Sequence, residues 1–188
     1  MAQIDETIVE HWLRRQGYST VRGLTVRPKN PENKGQKELD LLAFRRGELV
    51  HVEVQSSPKP GNYLGELNSL EDSVRKYIQD KFDEESVQAI REEWCQHSGF
   101  EVGSLTKMVV YQNLKPKMVT KEEKREQLEV LEELVSPVSF AQIFRSLKSG
   151  KDLEGKDLKF KFKCDMDDLA TLFLNTKIDE GEEGESPR

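Results

Sequence analysis

The stretch Glu38-Leu39-Asp40-Leu41-Leu42-Ala43-Phe44-Arg45-Arg46-Gly47-Glu48-Leu49-Val50-His51-Val52-Glu53-Val54-Gln55 decides how this chain folds. It reads as two strongly apolar strands turning at Arg45-Arg46-Gly47-Glu48, a β-hairpin. Two acids, Asp40 and Glu53, interrupt those strands. A buried carboxylate is costly unless it is paired or bound to a metal. Glu53 and Gln55 are two apart and share one face of their strand, while Val52 and Val54 face the other layer. Asp40, thirteen positions before Glu53, stands on the partner strand within reach of it. Two carboxylates, the backbone carbonyl of Val54 and waters make a set that a hard cation such as Mg²⁺ (or Mn²⁺) accepts. The commonest chemistry for such a site is phosphodiester hydrolysis.

Outward from the hairpin, residues 4–16 read as a helix, with Ile4, Ile8, Val9, Trp12 and Leu13 at helical spacing and Gly17 as its stop. Residues 18–26 read as a strand. Residues 27–37, rich in Pro, Asn, Gly and Lys, read as a basic loop. Residues 64–95 are helical in pattern, in two pieces with a joint near Asp83. Residues 105–111 read as a strand, 121–134 as a charged amphipathic helix, and 139–148 as a further helix capped by Gly150. Lys159-Phe160-Lys161-Phe162-Lys163-Cys164 alternates as a strand with one exposed face. Residues 167–177 read as a last helix. The expected class is α/β, a mixed central sheet flanked by helices with a C-terminal α+β extension. Residues 1–177 form one domain, with 1–112 as core and 113–177 as extension. Residues 178–188 are an acidic, Gly-rich tail expected to be disordered.

Composition narrows the function classes. The chain has 188 residues, 35% hydrophobic and 34% charged. No apolar run of membrane length and no signal-peptide pattern is present, which leads to the expectation of a cytoplasmic protein with no membrane partner. Two cysteines, Cys95 and Cys164, far apart, fit a reducing compartment better than a disulfide scaffold. The net charge of −6 does not advertise a nucleic-acid partner. Its distribution softens this: residues 1–64 hold ten Lys or Arg against eight acids, a balance of +2, so the rest carries −8, and a local basic face around an acidic centre stays open.

The order helix, strand, hairpin, with Glu6, then Gly17-Tyr18-Ser19-Thr20-Val21-Arg22, then Asp40-Leu41-Leu42, then Glu53-Val54-Gln55, resembles the PD-(D/E)xK nuclease superfamily. Its flavour is that of the archaeal Holliday-junction resolvases. The resemblance covers residues 4–57. It implies a restriction-endonuclease-like fold and a Mg²⁺-dependent nuclease acting on DNA. Asp40 and Glu53 would bind the metal, Gln55 would orient the attacking water, and Glu6 would hold a second metal or a metal-bound water. Lys29, Lys34, Lys37, Arg45 and Arg46 would contact phosphates, an affinity that falls with salt. The sequence departs from the family where Gln55 replaces the usual Lys and Leu39 the usual Pro.

Plainer readings stand beside these. Glu53 could be an exposed edge-strand residue, and Glu6 a residue favoured by the helix dipole, with Glu10 able to substitute for it one turn on. The alternative function is a non-catalytic module that keeps the nuclease scaffold and binds a protein partner through helix 121–134; a homodimer is also open. The run Gly150–Asp157 is one residue short of a phosphate-binding loop and ends in Asp where Ser or Thr is required. Cys95 and His97 face different directions on a helix. His11 and His51 have no partners in sequence, and Trp12 and Trp94 read as packing residues.

Overall fold

The apolar stripe Ile8, Val9, Trp12 and Leu13 is 0–2% exposed and makes one face of α1 (Ala2–Arg15). The computed structural model of the chain describes residues 2–25, 38–55, 70–111 and 121–156. Helix α1 closes on Gly17, whose φ of 90° only glycine adopts without strain, and the Tyr18 amide reaches back to the Leu13 carbonyl at 3.2 Å. Three antiparallel strands follow: β1 (Ser19–Thr25), β2 (Glu38–Arg45) and β3 (Glu48–Gln55). The β2–β3 turn has Arg46 at φ 48° and Gly47 at φ 82°. Two successive positive angles make the two-residue hairpin turn whose twist matches the strands.

Helix α2 (Leu70–Ile78) runs directly into a π-helical turn, Gln79–Asp83, and α3 (Glu85–Ser98) starts after Glu84. The joint expected near Asp83 is therefore real: the helix widens into the π turn, which ends at Asp83, and Glu84 is extended (ψ 138°) before α3. Strand β4 (Ser104–Tyr111) lies parallel to β3; α4 (Lys121–Leu134) leads to β5 (Ser136–Ser139), parallel to β4. Helix α5 (Phe140–Ser149) begins with a Ser139–Gln142 capping box and ends at Gly150 in the left-handed region. The sheet order is β1-β2-β3-β4-β5, so β3 is its central strand.

Among the described residues the architecture is α/β, a five-stranded mixed sheet with helices on both faces. On one face Leu41, Ala43, Val50, Val52, Val110 and Val138 meet the buried sides of α1 and α5. On the other, Val109 meets α2, the π turn and α4, while Leu39, Leu42 and Leu49 meet α3. Each Val or Leu among them contributes about 1.5–3 kcal/mol when fully buried.

Strand β5 was not apparent in the sequence: four residues containing Pro137 carry little pattern, and an edge strand tolerates the missing amide. The stretch expected to begin an extension supplies β5, a strand of this sheet, and α5, part of its core. The basic loop, the strand expected at 159–164, the helix at 167–177 and the acidic tail lie outside the described residues. Among the described residues no helix is long and apolar enough to cross a membrane.

Candidate active site

Alternation along β3 decides which of its side chains meet. Val50, Val52 and Val54 pack toward α1. Leu49 packs toward α3, and His51 meets Phe82 of the π turn with ring centroids 4.6 Å apart. Glu53 continues that second row and is 1% exposed. The edge-strand alternative therefore fails, because β3 has a neighbour on each side.

Asp40 reaches the same place from β2. The β2–β3 ladder ends at Leu41 opposite Val52, and Asp40, the next residue outward, lies near enough to Glu53 for the Glu53 charge to act on it. Its Oδ2 accepts the Val54 amide at 2.8 Å, a side chain taking a backbone hydrogen bond where the ladder ends. Burial first, and then the Glu53 charge, push the Asp40 carboxyl up to about 7. The Val54 amide and the Lys81 charge oppose the rise but do not cancel it.

Glu6 lies on α1 and is half-buried. Its carboxyl is also raised, by burial first, with Glu38 and Glu53 pushing the same way and Arg22 opposing. Glu6 thus feels the charge of Glu53 and belongs electrostatically to the same end of the sheet. Glu10 does not replace it: its carboxylate binds Arg14 at 2.6 Å and Thr20 at 2.9 Å, with Arg22 at 3.6 Å, a surface network of its own. Gln55 ends β3 on the Glu53 side of the strand by alternation and is half-buried.

Two partners of Glu53 were missed in the sequence. The first is Lys81 of the π turn, whose Nζ lies 2.8 Å from Glu53 Oε2. The second is His51, fully buried, with Nε2 3.3 Å from Glu53 Oε1 and Nδ1 3.0 Å from Arg91 Nη1 on α3. A guanidinium only donates, so Nδ1 must accept from Arg91 and the ring proton sits on Nε2, directed at Glu53. Burial, above all, depresses the His51 pKa, and the Glu53 carboxylate only partly offsets that, so the neutral ring is the form to expect. His51 was legible, since residues 51, 53 and 55 share one strand face. Lys81 left a fainter trace. It falls at i+7 from Val74 and i+4 from Tyr77, on the buried stripe of its helix, where a lysine calls for an acidic partner.

The arginines proposed for phosphate contact lie elsewhere. Arg45 and Arg46 occupy the hairpin turn, about 17 Å along β2 from Asp40 at ~3.4 Å per residue. Arg45 stacks over the Tyr18 ring at 4.3 Å and bonds Gln16 O and Glu48 Oε2, both at 2.9 Å. Its guanidinium is spent on holding the turn to the end of α1. Lys29, Lys34 and Lys37 lie outside the described residues.

Among the described residues no three His, Cys, Asp or Glu side chains converge on one point. A metal would therefore be held by Asp40 and Glu53 with waters or a backbone carbonyl such as that of Val54. Mg²⁺ takes such a set, since it keeps several waters and commonly uses one or two carboxylates. The raised Asp40 carboxyl fits this reading: it is buried and lies near a second acid that Lys81 partners, and a dication would offset both the lost solvation and the repulsion. Comparison with protein-family models, curated proteins and solved structures finds no match to this chain.

Proposed function

We propose that the chain is a Mg²⁺-dependent nuclease of restriction-endonuclease-like fold that hydrolyses DNA phosphodiester bonds, with Mn²⁺ as an alternative metal. The carrying observation is Asp40 close to a buried Glu53, where the β2–β3 ladder ends. The element order α1-β1-β2-β3-helix-β4 supports the fold assignment. Asp40 and Glu53 would hold the metal, which when bound supplies a Lewis acid that polarises the phosphate and acidifies water.

The remaining parts act through their own chemistry. His51 locks the Glu53 side chain by donating Nε2–H, as second partners of metal ligands commonly do. Glu6 adds negative charge beside the pair, which suits a further cation or its waters. Gln55 can hydrogen-bond a water from the strand end. Lys29, Lys34 and Lys37 contact phosphates from the basic loop, a charge match that salt weakens.

A second reading keeps one observation in its favour: position 55 is Gln, without the charge that a Lys would bring. In it the scaffold is not catalytic and α4 presents its outward row, which includes Glu122, Glu126 and Glu129, to a protein partner. Labelled branched, duplex and single-stranded DNA incubated with Mg²⁺ or Mn²⁺ separates the two. The nuclease reading expects cleavage of at least one form that Asp40→Ala abolishes; no cleavage of any form leaves the binding module.

A further inference from the structure

The charge absent from position 55 is present in space. Lys81 approaches Glu53 from the opposite layer, its Nζ 2.8 Å from Oε2, and its charge is felt at Asp40 and at His51 as well. The Lys81 side chain is 36% exposed while Glu53 is 1% exposed. Its stem therefore runs from solvent to a buried carboxylate, and the ammonium sits at the rim of the site.

The segment that carries Lys81 is held more firmly than a surface ion pair requires. Arg91 Nη1 donates to the Phe82 carbonyl at 2.6 Å, and Gln88 Nε2 to the Asp83 carbonyl at 2.7 Å. Lys107 of β4 grips the Asp83 carboxylate at 2.6 Å. Phe82 is 0% exposed against His51. Isolated π turns recur at functional sites because the extra residue re-aims side chains that an α-helix would point elsewhere. Here the turn presents Lys81 and Phe82 together to the row of His51 and Glu53.

We propose that Lys81 is the catalytic ammonium of this centre, supplying from the helix layer the charge that Gln55 cannot supply from the strand. The inference rests on the nuclease reading. In the hydrolysis a P–O bond forms to water and the P–O bond to a sugar oxygen breaks. The water gives one proton to bulk solvent and the leaving oxygen takes one from it. Lys81 keeps its proton throughout. It donates hydrogen bonds to the water and to the phosphate oxygens on which negative charge builds, a role in which fixed charge counts most.

The test compares wild type, Lys81→Met, Lys81→Gln and the double variant Lys81→Met/Gln55→Lys, in cleavage with Mg²⁺ and in Mg²⁺ affinity measured by calorimetry without DNA. Lys81→Gln keeps a donor for Glu53 and stands in if the Met variant does not fold. Loss of Lys81 should slow cleavage about 10²-fold or more and tighten Mg²⁺ binding, because a like charge leaves the metal's neighbourhood. The double variant should regain most of the rate, since the ammonium returns from the strand. Wild-type cleavage rates in both single variants overturn the proposal. So does weakened Mg²⁺ binding with no recovery in the double variant, which would make Lys81 only a counter-ion for Glu53. If wild type itself cleaves no DNA form, the nuclease reading falls and takes this inference with it.

Discussion

The two ends of the β2–β3 hairpin carry similar residue types and treat them in opposite ways. At the turn, Arg45, Glu48 and Tyr18 form a matched set: one cation, one acid, and a phenol bonded to Glu48 at 3.0 Å under the guanidinium. All three are partly open to solvent, and Gly103 ties the turn to the start of β4 through a 2.7 Å bond to the Gly47 carbonyl. At the other end Asp40 and Glu53 lie together beside Lys81, with Glu6 adding its charge. Matched, solvated charge shapes a turn at little cost or gain. Unmatched, buried acid is costly, and groups perturbed in this way cluster at functional sites.

The sharpest break of that comparison removes the unmatched acids. Asp40→Ala and Glu53→Ala should each reduce metal-dependent cleavage to background in a labelled-DNA assay. Their stabilities should diverge. Glu53→Ala orphans the His51 Nε2–H and should cost about 1–3 kcal/mol in denaturant unfolding. Asp40→Ala leaves the Val54 amide without its acceptor but relieves burial of a charge and repulsion, and should cost less. Equal, wild-type cleavage at either position would show that the acids only pack.

The pH dependence should follow from Asp40. Its folded-state pKa is raised from the ordinary 3.8 to about 7, so the folded chain binds the proton more tightly than the unfolded one. That contribution is fully present below about pH 4 and is lost as pH rises through about 7, on the order of a few kcal/mol. Metal-free melting temperature should therefore fall across this window. Asp40→Asn, which keeps an acceptor for the Val54 amide, should flatten the fall. Added Mg²⁺ should raise the melting temperature more at pH 8 than at pH 5, because it competes with the proton. A flat profile in the metal-free wild type would show that neither burial nor the Glu53 charge raises Asp40.

His51→Leu is expected to act more mildly. Glu53 loses one fixed donor and Arg91 loses an acceptor, so Mg²⁺ affinity should drop about tenfold, the low end for removing a ligand's second partner. Calorimetry reads this directly, and unchanged affinity would confine His51 to packing against Phe82. The smallest effect belongs to the turn. Arg45→Ala should cost less than about 1 kcal/mol and leave cleavage unchanged. A large loss of cleavage there would mean that nucleic acid reaches the turn after all.

Much of the layout could be read from the chain alone. Two strongly apolar runs dictated the hairpin, and Gly47 marked its turn, whose two central positions take positive φ. Helical spacing marked α1, and Gly17 and Gly150 marked two helix ends. The same local rules set Glu53 apart from Val52 and Val54 and brought Asp40 close to it, because strand period and hairpin register are properties of neighbours in sequence. What the tertiary structure alone decided was what stands over that pair. Glu53 is buried because β4 and β5 make β3 central, and β5 is too short and Pro-containing to announce itself. Lys81 reaches Glu53 across 28 residues of chain because a π turn, fastened by Arg91, Gln88 and Lys107, aims it there. Arg91 reaches His51 across 40 residues and thereby sets which ring nitrogen faces Glu53. Pairings at such separations depend on how layers stack, and no local periodicity encodes them.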